Sequence, residues 1–93
     1  MKKYTLVSNK IIRAMDLNVR EKLVIIALIM YHNKDLGYAF PSYEELLKCT
    51  QISNKSLIKA LNKLEELEYI KREAGAGGKR NKYFINEKYL IVK

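Results

Sequence analysis

A chain of 93 residues has room for one small core, burying about 60 to 65 % of the surface its unfolded form exposes, and its apolar fraction of 48 % with one proline and four glycines excludes a disordered chain. Its 18 Lys and Arg against 10 Asp and Glu leave a net charge of +8 and a pI near 9.6, which points to a polyanionic partner. Cys49 is the only cysteine, which excludes an internal disulfide, a cysteine-based zinc site and a CxxC redox pair.

Residues 4 to 15, YTLVSNKIIRAM, are too polar for the apolar segment of a signal peptide. Their Leu6, Val7, Ile11 and Ile12 are expected to cover part of the core. Asn18-Val19-Arg20-Glu21 has the form of a capping box, in which an N-cap side chain and a Glu three residues on satisfy each other's backbone N–H groups. A helix is therefore predicted over 18 to 32. It is apolar on almost every side, so it must be enclosed by its own domain or by a second subunit. Its apolar run, LVIIALIMY at 23 to 31, is far shorter than the roughly 20 residues that span a bilayer. The expectation is a single cytoplasmic domain over 1 to 93.

Asn33-Lys34-Asp35-Leu36-Gly37 is turn chemistry, and Tyr38 to Phe40 reads as a short extended piece ended by Pro41. Ser42-Tyr43-Glu44-Glu45 is a second capping box, opening a short helix with Leu46, Leu47 and Cys49 as its inward residues. Thr50-Gln51-Ile52 makes a tight turn. Ser53 then caps a helix from 54 to about 68, with Leu57, Ala60, Leu61, Leu64 and Leu67 at helical spacing. Lys55, Lys59 and Lys63 come first in this helix, and Glu65, Glu66 and Glu68 crowd its end. That order opposes the helix macrodipole, so stability alone would not select it.

Tyr69 to Ala74 and Lys82 to Asn86 read as two strands around the loop Gly75-Ala76-Gly77-Gly78. This loop is no phosphate cradle: Gly78-Lys79 is followed by Arg80 rather than a hydroxyl residue, and a GxGxxG pattern would need glycine at 80. Both motifs also need a strand leading into a helix. Tyr89, Leu90, Ile91 and Val92 form a last apolar stretch that completes the core or leads away from it.

The charge is concentrated. Lys55, Lys59 and Lys63 give 53 to 64 a charge of +3, and five bases against Glu73 give 71 to 82 a charge of +4. An α-helix fits the major groove of duplex DNA, and a glycine-tipped hairpin can follow the backbone or enter the adjacent minor groove. Lysines neutralise phosphates and supply affinity, while Asn54, Lys55, Ser56 and Lys59 are placed to reach base edges.

The chain resembles a winged helix-turn-helix domain, an α+β, mainly α fold with a three-helix core and a C-terminal β-hairpin wing. More narrowly, it is similar to the helix-turn-helix domains of phage and plasmid replication proteins. The resemblance is carried by Phe40-Pro41-Ser42-Tyr43-Glu44-Glu45-Leu46, by Ile52 to Leu61, and by Leu64-Glu65-Glu66-Leu67-Glu68-Tyr69-Ile70, and it spans 9 to 86. It implies sequence-specific duplex DNA binding in replication initiation or transcription regulation, with no enzymatic activity and no cofactor. By analogy Ser42 and Tyr43 would bracket a phosphate at a helix N-terminus. Asn54 to Lys59 would face the major groove, with Ser53, Asn54, Lys55, Ser56, Lys59 and Lys63 as the DNA-binding residues of this helix, and Lys79, Arg80, Asn81 and Lys82 would form the wing tip. Such proteins usually end the recognition helix with glycine where this chain has Glu68, so the left-handed cap is expected to be missing.

The rival reading keeps the winged fold but makes it a protein-interaction module without DNA binding, docking through the apolar helix or the tail. Homodimerisation through helix 18 to 32 or tail 89 to 92 is a further expectation. The only histidine, His32, is expected to pack at a helix end rather than act as base or ligand. The paired acids Glu44-Glu45 and Glu65-Glu66 read as solvated helix faces. Tyr69 and Tyr83 read as core rather than as a stacking platform for single strands.

Overall fold

The computed structural model describes residues 6–75 and 80–90. Four helices lead into a two-stranded antiparallel hairpin: α1 (Asn9–Ile12), α2 (Val19–Tyr31), α3 (Tyr43–Thr50), α4 (Asn54–Glu66), β1 (Ile70–Glu73) and β2 (Lys82–Ile85), followed by a 3-10 turn at Glu87–Tyr89. This is the architecture of a winged helix-turn-helix, with a short α1 added to the three expected helices. None of the helices among the described residues is long and apolar enough to cross a membrane.

The helix starts lie where the side chains dictate. Asn18 Oδ1 accepts from the Glu21 amide at 2.8 Å while Glu21 Oε1 accepts from the Asn18 amide at 2.9 Å. Ser42 and Glu45 repeat the exchange at 3.0 and 2.8 Å. Each box satisfies two backbone donors that a bare helix start leaves orphaned. Ser8 caps α1 in the same way through the Lys10 amide, a start signal that four residues of helix were too short to make legible.

The core forms where α2 packs on α3, α4 and β2, and α4 on β1. Val24, Ile25 and Leu28 of α2, Leu46 of α3, Leu57, Leu61 and Leu64 of α4, Ile11 of α1 and Tyr83 of β2 are all fully buried. Two expected core residues lie elsewhere. On the four-residue α1, Ile11 takes the inward position, and its neighbour Ile12, about 100° further round the helix, stays half exposed. On α3 the inward place next to Leu46 belongs to Thr50, one full turn on, whose buried hydroxyl donates to the Leu46 carbonyl at 2.8 Å. Cys49 is left exposed.

The hairpin pairs Ile70 with Ile85, Lys71 with Phe84, Arg72 with Tyr83 and Glu73 with Lys82. Ala39 joins its edge, exchanging both backbone hydrogen bonds with Tyr83 at 2.8 and 2.9 Å. That single bridge fixes the start of α3, four residues on, beside the hairpin. The turn before it is closed by Asn33, whose side-chain oxygen accepts from the amides of Asp35 and Leu36, and by Gly37 at φ 83°. The Tyr69 hydroxyl donates to Asp16 at 2.7 Å, and its ring stacks on Tyr89 with centroids 4.5 Å apart. Tyr89 and Leu90 are thereby packed onto the molecule's own core, which takes the first half of the tail 89 to 92 out of use as a docking arm; Ile91 and Val92 lie outside the described residues.

The end of α4 differs from expectation in one informative way. The helix stops at Glu66, not 68, and Glu68 itself adopts the left-handed conformation at φ 64°. The Tyr69 amide donates to the Leu64 carbonyl at 2.9 Å and the Glu68 amide to the Glu65 carbonyl at 3.0 Å. These two bonds define a Schellman cap, so the cap is present although its residue is not glycine. Tyr69 and Leu64, the residues that the cap joins, are both buried, and their packing holds the backbone there against the roughly 1 to 2 kcal/mol that a non-glycine residue gives up in this region. Glu68→Gly removes that strain and an acid from the negative end of the helix. It is expected to stabilise the fold by about 1 kcal/mol, or about 4 to 8 °C in melting temperature; an unchanged or lower melting temperature would contradict the strain.

Candidate nucleic-acid interface

Helices α3 and α4 are joined by Gln51, Ile52 and Ser53. Gln51 takes the left-handed conformation at φ 58°, and its amide donates to the Leu47 carbonyl at 2.8 Å, which turns the chain sharply. Ile52 packs against the core, and Ser53 caps α4 by accepting from the Ser56 amide at 3.1 Å. The second helix is thus fixed to the first at its start and to the core along Leu57, Ala60, Leu61 and Leu64. Its other side is left for solvent: Asn54, Lys55, Ile58, Lys59, Asn62, Lys63 and Glu66 are exposed.

Lys55 and Lys59 lie one turn apart on this exposed side, and among the described residues neither pairs with an acid; Lys63 sits 3.6 Å from Glu66. Loosely held surface pairs of this kind contribute about 0 to 1 kcal/mol, so a phosphate can displace Glu66 at little cost. Ser53 and Ser56 are less available, because Ser53 serves as the cap and its hydroxyl donates to that of Ser56 at 3.0 Å.

The hairpin lies along the C-terminal half of α4, and Arg72 holds it there. Its Nε and one terminal nitrogen donate to Glu65 Oε1 at 3.0 and 2.8 Å, its amide donates to Oε2 at 3.3 Å, and the same terminal nitrogen reaches Asn62 Oδ1 at 2.7 Å. Hydrogen bonding to Arg72 holds the Glu65 carboxyl below the usual carboxylate range. Here is a reason for one of the acids at the wrong end of the helix: Glu65 anchors the first strand of the hairpin.

The returning arm is tied to the other helix. Arg80 lies 3.2 Å from Glu45, in the first turn of α3. The Ser42 amide in first place, and Arg80 after burial is offset, hold the Glu45 carboxyl below the usual range. Arg80, expected as a DNA-binding residue of the wing tip, is ion-paired with Glu45, and the Ser42 hydroxyl is engaged in the cap. Tyr43 is exposed at the same helix start. Asn81 accepts from the Gly75 amide at 3.4 Å across the mouth of the loop, and the Lys82 ammonium lies 5.1 Å from the centre of the Tyr38 ring. Lys79 lies outside the described residues.

The hairpin is thus tied to both helices by charged side chains, to α4 through Arg72 and Glu65 and to the start of α3 through Arg80 and Glu45. Sequence reasoning placed the lysines and Asn54 but passed over Asn62 and Arg72 and gave no role of its own to Ile58. The spacing of Ile58 and Asn62 from Lys55 and Lys59, three residues in each case, was the available signal for the first and last.

A family model described as a helix-turn-helix domain matches residues 16–70. The chain belongs to the helix-turn-helix domain family. No curated protein and no solved structure gives a significant match. The matched segment runs from just before α2 to the first residue of β1, so it contains both helices of the helix-turn-helix and the helix that supports them, while the rest of the hairpin lies beyond it. In helix-turn-helix domains the second helix enters the major groove with the first crossing the backbone; in this chain α3 is the first helix of the motif and α4 the second.

Proposed function

We propose that this helix-turn-helix domain binds duplex DNA sequence-specifically and without enzymatic activity, in a replication-initiation or transcription-regulatory role of phage or plasmid type, in the cytoplasm. The observation that carries the reading is the outward face of α4, where Asn54, Lys55, Lys59, Asn62 and Lys63 are exposed on a helix whose opposite face is locked into the core. The lysines supply sequence-independent attraction to phosphate, Asn54 supplies a donor and an acceptor for base edges, and Asn62 supplies donors. In this reading Ser42 and Tyr43 contact a neighbouring phosphate, and Arg80, Asn81 and Lys82 contact the backbone from the wing; Lys79, which lies outside the described residues, is assigned to the same role. Selection of bound duplexes from a random pool is expected to enrich one sequence pattern of a few base pairs. A pool that stays random after repeated rounds would remove the specific reading.

A dimer is the second part of the proposal, carried by a different face. On α2, Val19, Leu23 and Met30 are 75, 40 and 48 % exposed, and with half-buried Ile26 they follow the 4-3-4 spacing of a coiled-coil seam. This seam itself carries no charged residue. Sedimentation equilibrium at tens of micromolar is expected to report a dimer that Leu23→Glu converts to monomer. A wild-type monomer at that concentration rules the dimer out.

A further inference from the structure

The side chain of Asn62 is oriented before any ligand arrives. Its Oδ1 lies 2.7 Å from a terminal nitrogen of Arg72, and a guanidinium only donates, so the amide oxygen must face Arg72 and the NH2 end must face away. Arg72 cannot swing off easily, because Glu65 holds it through two side-chain bonds and one backbone bond. Away from Arg72, Asn62 therefore turns its NH2 donors, while one of the two lone pairs of its oxygen is taken by the guanidinium. Ile58 stands one turn earlier on the same side of α4 and is 38 % exposed, an apolar surface among polar neighbours.

An asparagine that reads adenine uses both ends of its amide, the oxygen accepting from N6 and the nitrogen donating to N7. Here the oxygen is turned toward Arg72 and already accepts from it, which disfavours that two-ended contact. Acceptor-only edges are favoured instead: N7 and O6 of guanine, or O4 of thymine. Of these, only thymine also carries an apolar group, its 5-methyl, next to the acceptor. Resting on the reading of α4 as the helix that enters the groove, we propose that Ile58 and Asn62 together select thymine, Ile58 covering the 5-methyl and the Asn62 NH2 donating to O4. Preset orientation by Arg72 and Glu65 reduces the freedom lost on binding.

The test uses the full chain and the duplex enriched from a random pool, with affinity read by fluorescence anisotropy. Each thymine is replaced singly by uracil, which keeps O4 and lacks the methyl. One position is expected to weaken wild-type binding about 3- to 4-fold, the effect of one methyl group removed from contact, while Ile58→Ala binds the thymine and uracil duplexes alike. At the same or the adjacent base pair, Asn62→Ala is expected to lose about 5-fold or more of the discrimination against cytosine. Both side chains are exposed, and Glu65 still holds Arg72 when Asn62 is removed, so both variants should stay folded, which circular dichroism checks. The inference is overturned if no uracil substitution matters, or if Asn62→Ala weakens every duplex equally, which would make Asn62 a phosphate contact. Failure of the wild type to enrich any sequence would instead strike the proposed function itself.

Discussion

Replacing Lys55, Lys59 and Lys63 together with alanine is expected to lower duplex affinity at about 0.1 M salt by roughly 100- to 1,000-fold, without unfolding the protein. A phosphate neutralised by a lysine releases about 0.9 of a counterion, so three lost contacts flatten the slope of log affinity against log salt by about 2.7. If the wild type makes roughly six such contacts, its slope near −5 should fall to between −2 and −3. Lys63 contributes least of the three, because Glu66 stands 3.6 Å away and competes for it. Stability should hardly change: alanine is the best helix former, Lys55 and Lys59 in the first half of α4 are opposed by its dipole, and the favourable placing of Lys63 in the last turn contributes only about 0.3 to 1 kcal/mol. An equal slope for variant and wild type, with both folded, would show that phosphates bind elsewhere.

Leu61→Ala is expected to have the largest effect on the fold, destabilising it by about 2 to 5 kcal/mol out of a total that for a domain of this kind is about 5 to 15. Leu61 is fully buried on α4, the helix that packs on α2, α3 and β1, so the cavity it leaves adjoins several elements and cannot close by moving one. The melting temperature followed by circular dichroism should fall by about 10 to 25 °C. A fall of less than about 5 °C would mean that α4 is held by its caps and its ties to the hairpin more than by the core. Binding measured well below the melting temperature should keep its salt slope, which separates this variant from the lysine one.

Much of the fold was legible because its boundaries are written in local chemistry. The capping boxes at Asn18 and Ser42, the cap at Ser53 and the apolar spacing of α4 act within four residues, a range over which sequence and structure are in register. What could not be read depends on chain segments far apart in sequence. The Ala39–Tyr83 bridge, the Tyr69–Asp16 hydrogen bond and the Arg80–Glu45 pair are fixed only when the core brings their elements together. The left-handed Glu68 shows the same limit from the other side: local preference favours glycine there, and the packing of Tyr69 and Leu64 overrides it. At the interface the lysines announced themselves by charge. The Asn62–Arg72–Glu65 network did not, since an arginine and a glutamate seven residues apart across a helix end carry no signature of pairing.

The most direct test is to titrate the isotope-labelled protein with its selected duplex and follow the backbone amide resonances by NMR. Shifts concentrated at 54 to 63, at 42 and 43, and at 80 to 82, with 19 to 30 unmoved, are the expected result. Shifts concentrated on Val19, Leu23, Ile26 and Met30, with α4 silent, would contradict the assignment of α4 as the DNA-facing helix.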